Sequence, residues 1–193
     1  MNKFLIVIIL ISTIFSQSFK DLTERPTYNP IKIEKPIIFD GVVDNQEWSK
    51  AQIATNFNGS GTFQGQPSDL RTEARLFYDE KNIYVGFIAY VDKEDLRYSI
   101  TKRDNLDEKD DRVWINIDAF DDEALTYGIG VSAGGVQIDG RATYGFDKSL
   151  DLIYESKVSV YDDRYEAELI IPFSSLRYSL SPIQTWRLSL IHI

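Results

Sequence analysis

Apolar and polar side chains alternate along most of the chain with a period of two residues, which is typical of a β-strand with one buried face. The alternation is clearest in residues 113–118 and 164–171. We predict that one side of these two strands points into the core, namely Val113, Ile115, Ile117, Tyr165, Ala167, Leu169 and Ile171. No long stretch with a period of 3.6 residues, as expected of an amphipathic helix, follows residue 18.

Short turns that are polar or contain glycine divide this pattern into hairpins. Three hairpins are predicted, from residues 72–78 with 83–90, 126–132 with 136–142, and 152–160 with 164–171. One short helical turn is predicted over residues 45–51, where Asp44 and Glu47 have the spacing of a capping box. About eight to ten short strands with so little helix predict an all-β fold, an antiparallel two-sheet sandwich of the jelly-roll kind.

The first eighteen residues have the three parts of a secretory signal peptide. Lys3 supplies a positive charge, residues 4–15 are almost wholly apolar, and Ser16 and Ser18 are small residues near a cleavage point. The alternative is a membrane anchor, but this apolar run is shorter than the ~20 residues that span a bilayer. We therefore expect export to the periplasm, the cell surface or the extracellular space.

The remaining chain divides into an arm and one domain. Residues 19–30 contain two prolines and are predicted to be a linker or an arm that covers a sheet edge. The β-sandwich is predicted to occupy residues 31–193. Residues 185–193 alternate as a strand, and no turn follows them, so we expect the domain to be truncated at its C-terminus and to belong to a larger protein.

Composition excludes several functional classes. The formal net charge is −9 and no basic stripe is present, so nucleic acid is not expected as a partner. The chain has no cysteine, and its one histidine, His192, lies in the last predicted strand. Nucleophilic triads and haem with two protein ligands are therefore not expected. Paired carboxylates remain as a catalytic route, but no pair stands out, and we predict no catalysis by this segment.

Acidic residues cluster at both ends of the strand at 113–118. Asp110 and Asp111 precede this strand, and Asp118 ends it. Calcium is bound by several oxygen ligands that loops commonly supply, so these three carboxylates are candidate ligands and calcium is a candidate cofactor. The alternative interpretation is a solvated acidic loop that keeps the protein soluble, and no EF-hand spacing is present.

One strand face carries the residue types that bind sugars. Trp114, Asn116 and Asp118 share this face, and an aromatic ring beside polar side chains can stack on a sugar and bind its hydroxyl groups. Arg75 would add a donor fork if its strand lay beside theirs in the same sheet. The candidate carbohydrate-binding residues are therefore Trp114, Asn116 and Arg75. The alternative interpretation is that Trp114 covers the sheet or packs beneath a loop.

Four segments, in the same order, resemble family 9 carbohydrate-binding modules. Residues 39–48 resemble "D-G-x-x-D-x-x-W", and residues 72–85 resemble "T-x-x-R-x-x-Y-D" followed by "x-L-Y-V". Residues 110–118 are similar to "D-S-V-E-I-F-I-D", and residues 164–172 to "G-Y-x-x-E-x-x-I-P". The resemblance covers residues 31–193 and implies a jelly-roll sandwich that binds a polysaccharide or oligosaccharide. It also implies a role in polysaccharide breakdown, with any O-glycosyl hydrolase activity in a missing or partner module.

A subset of these domains is more similar still. Residues 128–140 and 151–156 resemble the N-terminal domain of large proteins from Bacteroidetes-type bacteria that continue into an outer-membrane β-barrel. This resemblance implies a barrel in the same polypeptide as a partner. The alternative function is then a periplasmic structural or partner-binding domain that is attached to the barrel and has no affinity for sugar.

The sugar site of the family does not carry over residue by residue. Family members clamp a terminal sugar between two tryptophan rings, and residues 106–110 occupy the place of the first ring without a tryptophan. The second ring lies past residue 193. The sugar-contacting glutamate of the family falls at Trp114. The resemblance therefore implies the fold, and any sugar site must be built differently.

Overall fold

The computed structural model describes residues 27–43, 45–58, 66–143 and 145–192. Within these residues the chain forms ten strands, one α-helical turn and one 3-10 turn over Phe173–Ser175. The helical turn, α1, is Asn45–Trp48. The strands are β1 (Ile31–Lys32), β2 (Thr72–Tyr78), β3 (Asn82–Tyr90), β4 (Arg112–Asp118), β5 (Thr126–Ser132), β6 (Gln137–Ala142), β7 (Phe146–Asp147), β8 (Glu155–Val160), β9 (Arg164–Pro172) and β10 (Arg187–His192).

The strands form two sheets of five, which confirms the predicted all-β two-sheet sandwich. The first sheet has the order β1-β2-β3-β9-β8, and the second has the order β10-β4-β5-β6-β7. Every pairing is antiparallel except that of β1 with β2, which is parallel and places Ile31 opposite Phe77. This short parallel pair at a sheet edge was not predicted.

The core lies between the two sheets, as the alternation predicts. All seven predicted core residues of β4 and β9 are fully buried. Burial of an aliphatic side chain of this size contributes about 1.5–3 kcal/mol, so these two strands hold much of the stabilising apolar surface. Strand β4 supplies the core from the second sheet and β9 supplies it from the first, which fixes the outward face of each sheet.

The outer face of the first sheet is also covered, by the segment that contains α1. The Trp48 ring stacks on Phe77 with ring centroids 5.1 Å apart, and its Nε1 donates to Glu168 Oε1 at 3.2 Å. A Cβ at Gly86 would lie 3.1 Å from the Trp48 ring. Glycine at this position of β3 therefore lets the indole approach the sheet closely. The predicted helical turn exists but ends at Trp48, and Asp44 lies outside the described residues.

The predicted hairpins are confirmed, with one boundary that differs by three residues. Strand β8 begins at Glu155, not at residue 152. The Leu152 backbone N–H donates to Asp139 Oδ2 at 2.6 Å, and the Tyr154 hydroxyl donates to the Gly130 carbonyl at 2.8 Å. These bonds tie residues 152–154 to the second sheet, so the chain joins the first sheet only after them.

The predicted signal peptide, residues 1–18, lies outside the described residues. Residues 19–26 of the predicted arm also lie outside them. In the part of the chain that the structure describes, no helix is both long enough and apolar enough to cross a membrane.

Candidate functional site

The Trp114 indole lies flat on the outer face of the second sheet, across β5. The strand register pairs Trp114 with Gly130 and Asn116 with Gly128. A Cβ at Gly128 would lie 2.1 Å from Trp114 Cζ2, and a Cβ at Gly130 would lie 2.7 Å from Trp114 Cε3. Only glycine leaves room for a ring at such distances. One face of the indole therefore rests on the β5 backbone, and the opposite face is turned away from the sheet.

Asn116 fixes the orientation of this ring. The Trp114 Nε1–H donates to Asn116 Oδ1 at 2.5 Å, so the one polar group of the indole has its partner within the site. Both side chains are partly exposed. Since the amide oxygen of Asn116 accepts the indole proton, its Nδ2 amino group remains as a hydrogen-bond donor beside the ring. The two residues named from the sequence are thus brought together, as their shared strand face predicts.

A second aromatic ring, which sequence reasoning missed, completes the surface. Phe146 lies 5.5 Å from the Trp114 ring between centroids, at an interplanar angle of 54°, and is 45% exposed. A Cβ at Gly140 would lie 2.7 Å from Phe146 Cζ, so this ring also rests on a glycine of the sheet. We call Trp114 and Phe146 the aromatic shelf. The available signal was the glycines at 128, 130 and 140, because strand glycines mark places where another group approaches the backbone.

A depression with a volume of about 420 Å³ continues from the aromatic shelf along β4 towards β10. Asn116 lines it and contacts the shelf as well, so the two are continuous. Its other lining residues are Asp118, Glu123, Thr126, Arg187, Leu188 and Ser189. Arg187 forms ion pairs with Asp121 at 2.8 Å and with Glu123. The surface thus passes from aromatic rings to neutral polar groups and then to a charged cluster.

Arg75 does not join this surface, because its strand does not lie beside β4 in the same sheet. Strand β2 belongs to the first sheet, whereas β4 belongs to the second. The Arg75 side chain is buried on the outer face of the first sheet, where its Nη2 donates to Glu73 Oε2 at 2.8 Å. Alternation determines which face of a strand a residue occupies, but it does not determine which sheet the strand enters.

The three predicted calcium ligands are not brought together either. Asp111 and Asp118 stand seven residues apart on an extended strand, roughly 23 Å at about 3.3 Å per residue. Asp110 Oδ1 accepts a hydrogen bond from Ser99 Oγ at 3.0 Å, and Asp118 Oδ1 accepts one from the Phe120 N–H at 3.1 Å. These carboxylates therefore hold turns. Among the described residues, no group of three or more His, Asp or Glu side chains is arranged to hold a metal ion.

Comparison with known proteins identifies one family. The model of the carbohydrate family 9 binding domain-like family matches residues 38–187. No curated protein is a significant match to the chain.

Two similar solved structures are of a family 9 carbohydrate-binding module from Caldicellulosiruptor kristjanssonii. The structure in complex with glucose is 18% identical, covers 85% of this chain and 78% of its own, and has a TM-score of 0.58. The structure in complex with cellotriose is also 18% identical, covers 85% of this chain and 76% of its own, and has a TM-score of 0.56. At this level of identity the likeness shows the shared fold.

Proposed function

The chain belongs to the carbohydrate family 9 binding domain-like family, and on this premise we propose that it is a non-catalytic module that binds a carbohydrate on the aromatic shelf. The observation that carries the proposal is the Trp114 indole, which lies flat over Gly128 and Gly130 and is held in that orientation by Asn116. An indole with one face on the backbone and one face turned outward is a platform for the apolar face of a sugar ring.

The chemistry of the surrounding groups suits a neutral sugar. The C–H face of a pyranose packs on an aromatic ring, while its hydroxyl groups need donors and acceptors at the edge of that ring. The Nδ2 group of Asn116 is one donor at this edge, and the hydroxyl groups of Thr126 and Ser189 line the adjoining depression. Phe146, tilted by 54° against the indole, gives the sugar a second apolar wall.

The sugars bound in the similar structures support a neutral carbohydrate as the ligand. The two similar structures are complexes with glucose and with cellotriose. Because residues 106–110 hold no tryptophan for the clamp of the family, whereas Trp114 and Phe146 form a partly exposed aromatic pair, we propose that a polysaccharide or oligosaccharide rests on this pair.

We further propose that the module is exported and serves a larger protein that acts in polysaccharide breakdown beside glycoside hydrolases. The charged start and short apolar run of residues 1–18 support export, and the family membership supports the role. The second candidate function is a structural domain attached to an outer-membrane barrel, without affinity for sugar. The observation that favours it is that Trp114 also covers the bare backbone of β5.

Removal of the Trp114 ring distinguishes a carbohydrate-binding module from a structural domain without affinity for sugar. Calorimetric titration of the wild type with a glycan panel that includes glucose and cellotriose should detect binding. The change Trp114→Ala should weaken that binding about tenfold, because an aromatic contact contributes about 0.5–1.5 kcal/mol and a factor of ten corresponds to about 1.4 kcal/mol.

The matched control is Trp186→Ala, which removes a partly buried indole outside the aromatic shelf. Its glycan affinity should equal that of the wild type. Thermal unfolding of each variant establishes that it is folded. Unchanged affinity in folded Trp114→Ala would exclude the shelf as the binding surface, and a wild type that binds no glycan would favour the structural function.

A further inference from the structure

A second depression, on the opposite side of the sandwich from the aromatic shelf, is lined by arginines. It has a volume of about 550 Å³ and lies on the outer face of the first sheet, beside the segment that covers this face. Its charged residues are Arg71, Arg75 and Arg164 with Glu73 and Glu166. Three positive and two negative charges give it one net positive charge, in a chain whose formal net charge is −9.

Arg75 at the base of this depression has unused hydrogen-bonding capacity. Its side chain is only 6% exposed, and its Nη2 donates to Glu73 Oε2 at 2.8 Å. Its other amino group, Nη1, is buried and has no partner among the described residues. Buried polar groups in folded proteins are nearly always hydrogen-bonded, and the penalty for an unpaired one is greatest when the group is charged. A buried Nη1 without a partner, at the base of a depression, therefore indicates a place for a further acceptor.

Arg71 lies at the rim of the same depression and is far more exposed than Arg75. Arg71 Nη2 donates to Glu73 Oε1 at 2.5 Å, its guanidinium lies 4.5 Å from the centroid of the Tyr90 ring, and its side chain is 66% exposed. On β9, Arg164 Nε donates to Glu166 Oε1 at 2.7 Å. The strand register pairs Arg164 with Tyr90 of β3. The Arg71 side chain is exposed, and Glu73 keeps its bond from Arg75 Nη2 when Arg71 moves, so the Glu73 carboxylate is not left unpaired.

We infer that this depression binds the carboxylate group of a ligand, with Arg75 Nη1 as the buried donor and Arg71 as the contact at the rim. The arginine fork matches the two oxygens of a planar carboxylate. One net positive charge is balanced by one carboxylate, whereas a phosphate dianion would leave excess negative charge beside Glu73 and Glu166. Because Nη1 is closed to solvent, a ligand reaches it only after a neighbouring side chain moves, and Arg71 is the most exposed of the three arginines that line the depression. The site lies on the other sheet from the aromatic shelf, so the inference does not rest on the proposed function.

Two sources of a carboxylate are distinguished by titration of the full chain. The probes are sodium glucuronate, an acidic sugar, and N-acetylalanine, which presents a peptide-type terminal carboxylate, with glucose as the neutral control. In ¹H–¹⁵N spectra, at least one acid should shift the backbone signals of Ile88 and Tyr90, which line the depression. Glucose should leave these signals unchanged. The acid that binds more tightly identifies the source. If neither acid shifts them, the inference is overturned.

Variants test the assignment to Arg75. Arg75→Lys keeps the charge but removes the fork, and should weaken binding of the effective acid about tenfold, the scale of one charge-assisted hydrogen bond. Because Arg75 is buried, the exposed Arg71 offers a second test: Arg71→Gln should also weaken binding, and thermal unfolding of both variants establishes that they are folded. The matched control Arg177→Lys, an exposed arginine in the loop after β9, should have no effect. Wild-type affinity in both Arg75→Lys and Arg71→Gln would overturn the inference.

The carbohydrate site on the aromatic shelf and the carboxylate site at Arg75 can be tested independently. Trp114→Ala should leave the carboxylate titration unchanged, because the aromatic shelf is on the second sheet and Arg75 is on the first. Loss of acid binding in this variant would contradict a separate carboxylate site, whereas loss of glucose or cellotriose binding alone would bear only on the aromatic shelf.

Discussion

At the scale of single residues, burial sets the chemistry of the one histidine. His192 Nδ1 lies 2.8 Å from Thr72 Oγ1, and its ring packs edge-on against Tyr165 with centroids 5.7 Å apart. Burial lowers the pKa of His192 from 6.5 to about 4. Histidine is the residue type most often used in acid–base catalysis, but His192 is a neutral packing group near the end of β10.

This depressed pKa predicts a specific loss of stability in acid. Between pH 6.5 and 4 the unfolded chain protonates His192 while the folded chain keeps it neutral, so the unfolded state binds more protons and stability falls as the pH is lowered. The contribution that disappears by pH 4 is about 3 kcal/mol, at about 1.36 kcal/mol per pKa unit.

Urea unfolding of the wild type and of His192→Gln at several pH values between 7 and 4 measures this effect. The carboxylates titrate in both proteins, so the difference between them isolates the histidine. The wild type should lose stability relative to the variant as the pH falls. A difference that stays constant with pH would show that His192 is not held in its neutral form.

At the scale of strands, the second sheet uses glycines to accept aromatic rings from its own neighbouring strands. Gly128 and Gly130 of β5 receive the Trp114 indole, and Gly140 of β6 receives Phe146. Each glycine lacks the side chain that would otherwise stand on the outer face, and the rings fill that space. The flat orientation of Trp114 is thus a property of two adjacent strands together.

The change Gly128→Ala should therefore disturb the aromatic shelf. Its new methyl group would lie 2.1 Å from Trp114 Cζ2, so the ring must move. We expect a loss of about 1–3 kcal/mol in stability, the usual cost of overpacking, together with weakened glycan binding. In the Trp114→Ala background the same glycine change should cost much less, because the clashing ring is absent.

Gly145→Ala is the matched control, since a Cβ there would meet no atom within 4 Å. Calorimetric unfolding of the four proteins of the Gly128 and Trp114 cycle, with this control beside them, measures the coupling. Equal costs of Gly128→Ala with and without the Trp114 ring would show that the indole does not lie on β5.

At the scale of the whole molecule, the sequence predicts the sandwich far better than its surfaces. Alternation identifies the buried faces of β4 and β9 because burial on one side imposes a period of two. It places Trp114 beside Asn116 for the same reason. It misplaces Arg75, because sheet order depends on contacts between distant strands. It misses Phe146, because a strand of two residues has no period to detect.

Contacts between residues distant in sequence also explain why the predicted calcium ligands do not meet and why the outer face of the first sheet is covered. Asp110 and Asp118 are close in sequence but are separated by the length of β4, so carboxylates that cluster in the sequence need not lie close enough to share one ion. Glu168 is buried although it occupies an outward position of β9, because its Oε2 accepts the N–H groups of Asp40 and Gly41 at 2.9 and 2.8 Å. Such contacts, 127 and 128 residues apart in sequence, leave no local pattern.

The most direct test of carbohydrate binding on the aromatic shelf uses the three indole N–H signals of the chain. Trp48, Trp114 and Trp186 each give one signal, and their Nε1 groups donate to Glu168, Asn116 and Gln184 respectively. During titration with cellotriose or another glycan that binds, followed by ¹H–¹⁵N spectroscopy, the account predicts that the Trp114 signal shifts in a saturable way while those of Trp48 and Trp186 stay in place. A glycan that binds without moving the Trp114 signal would contradict it.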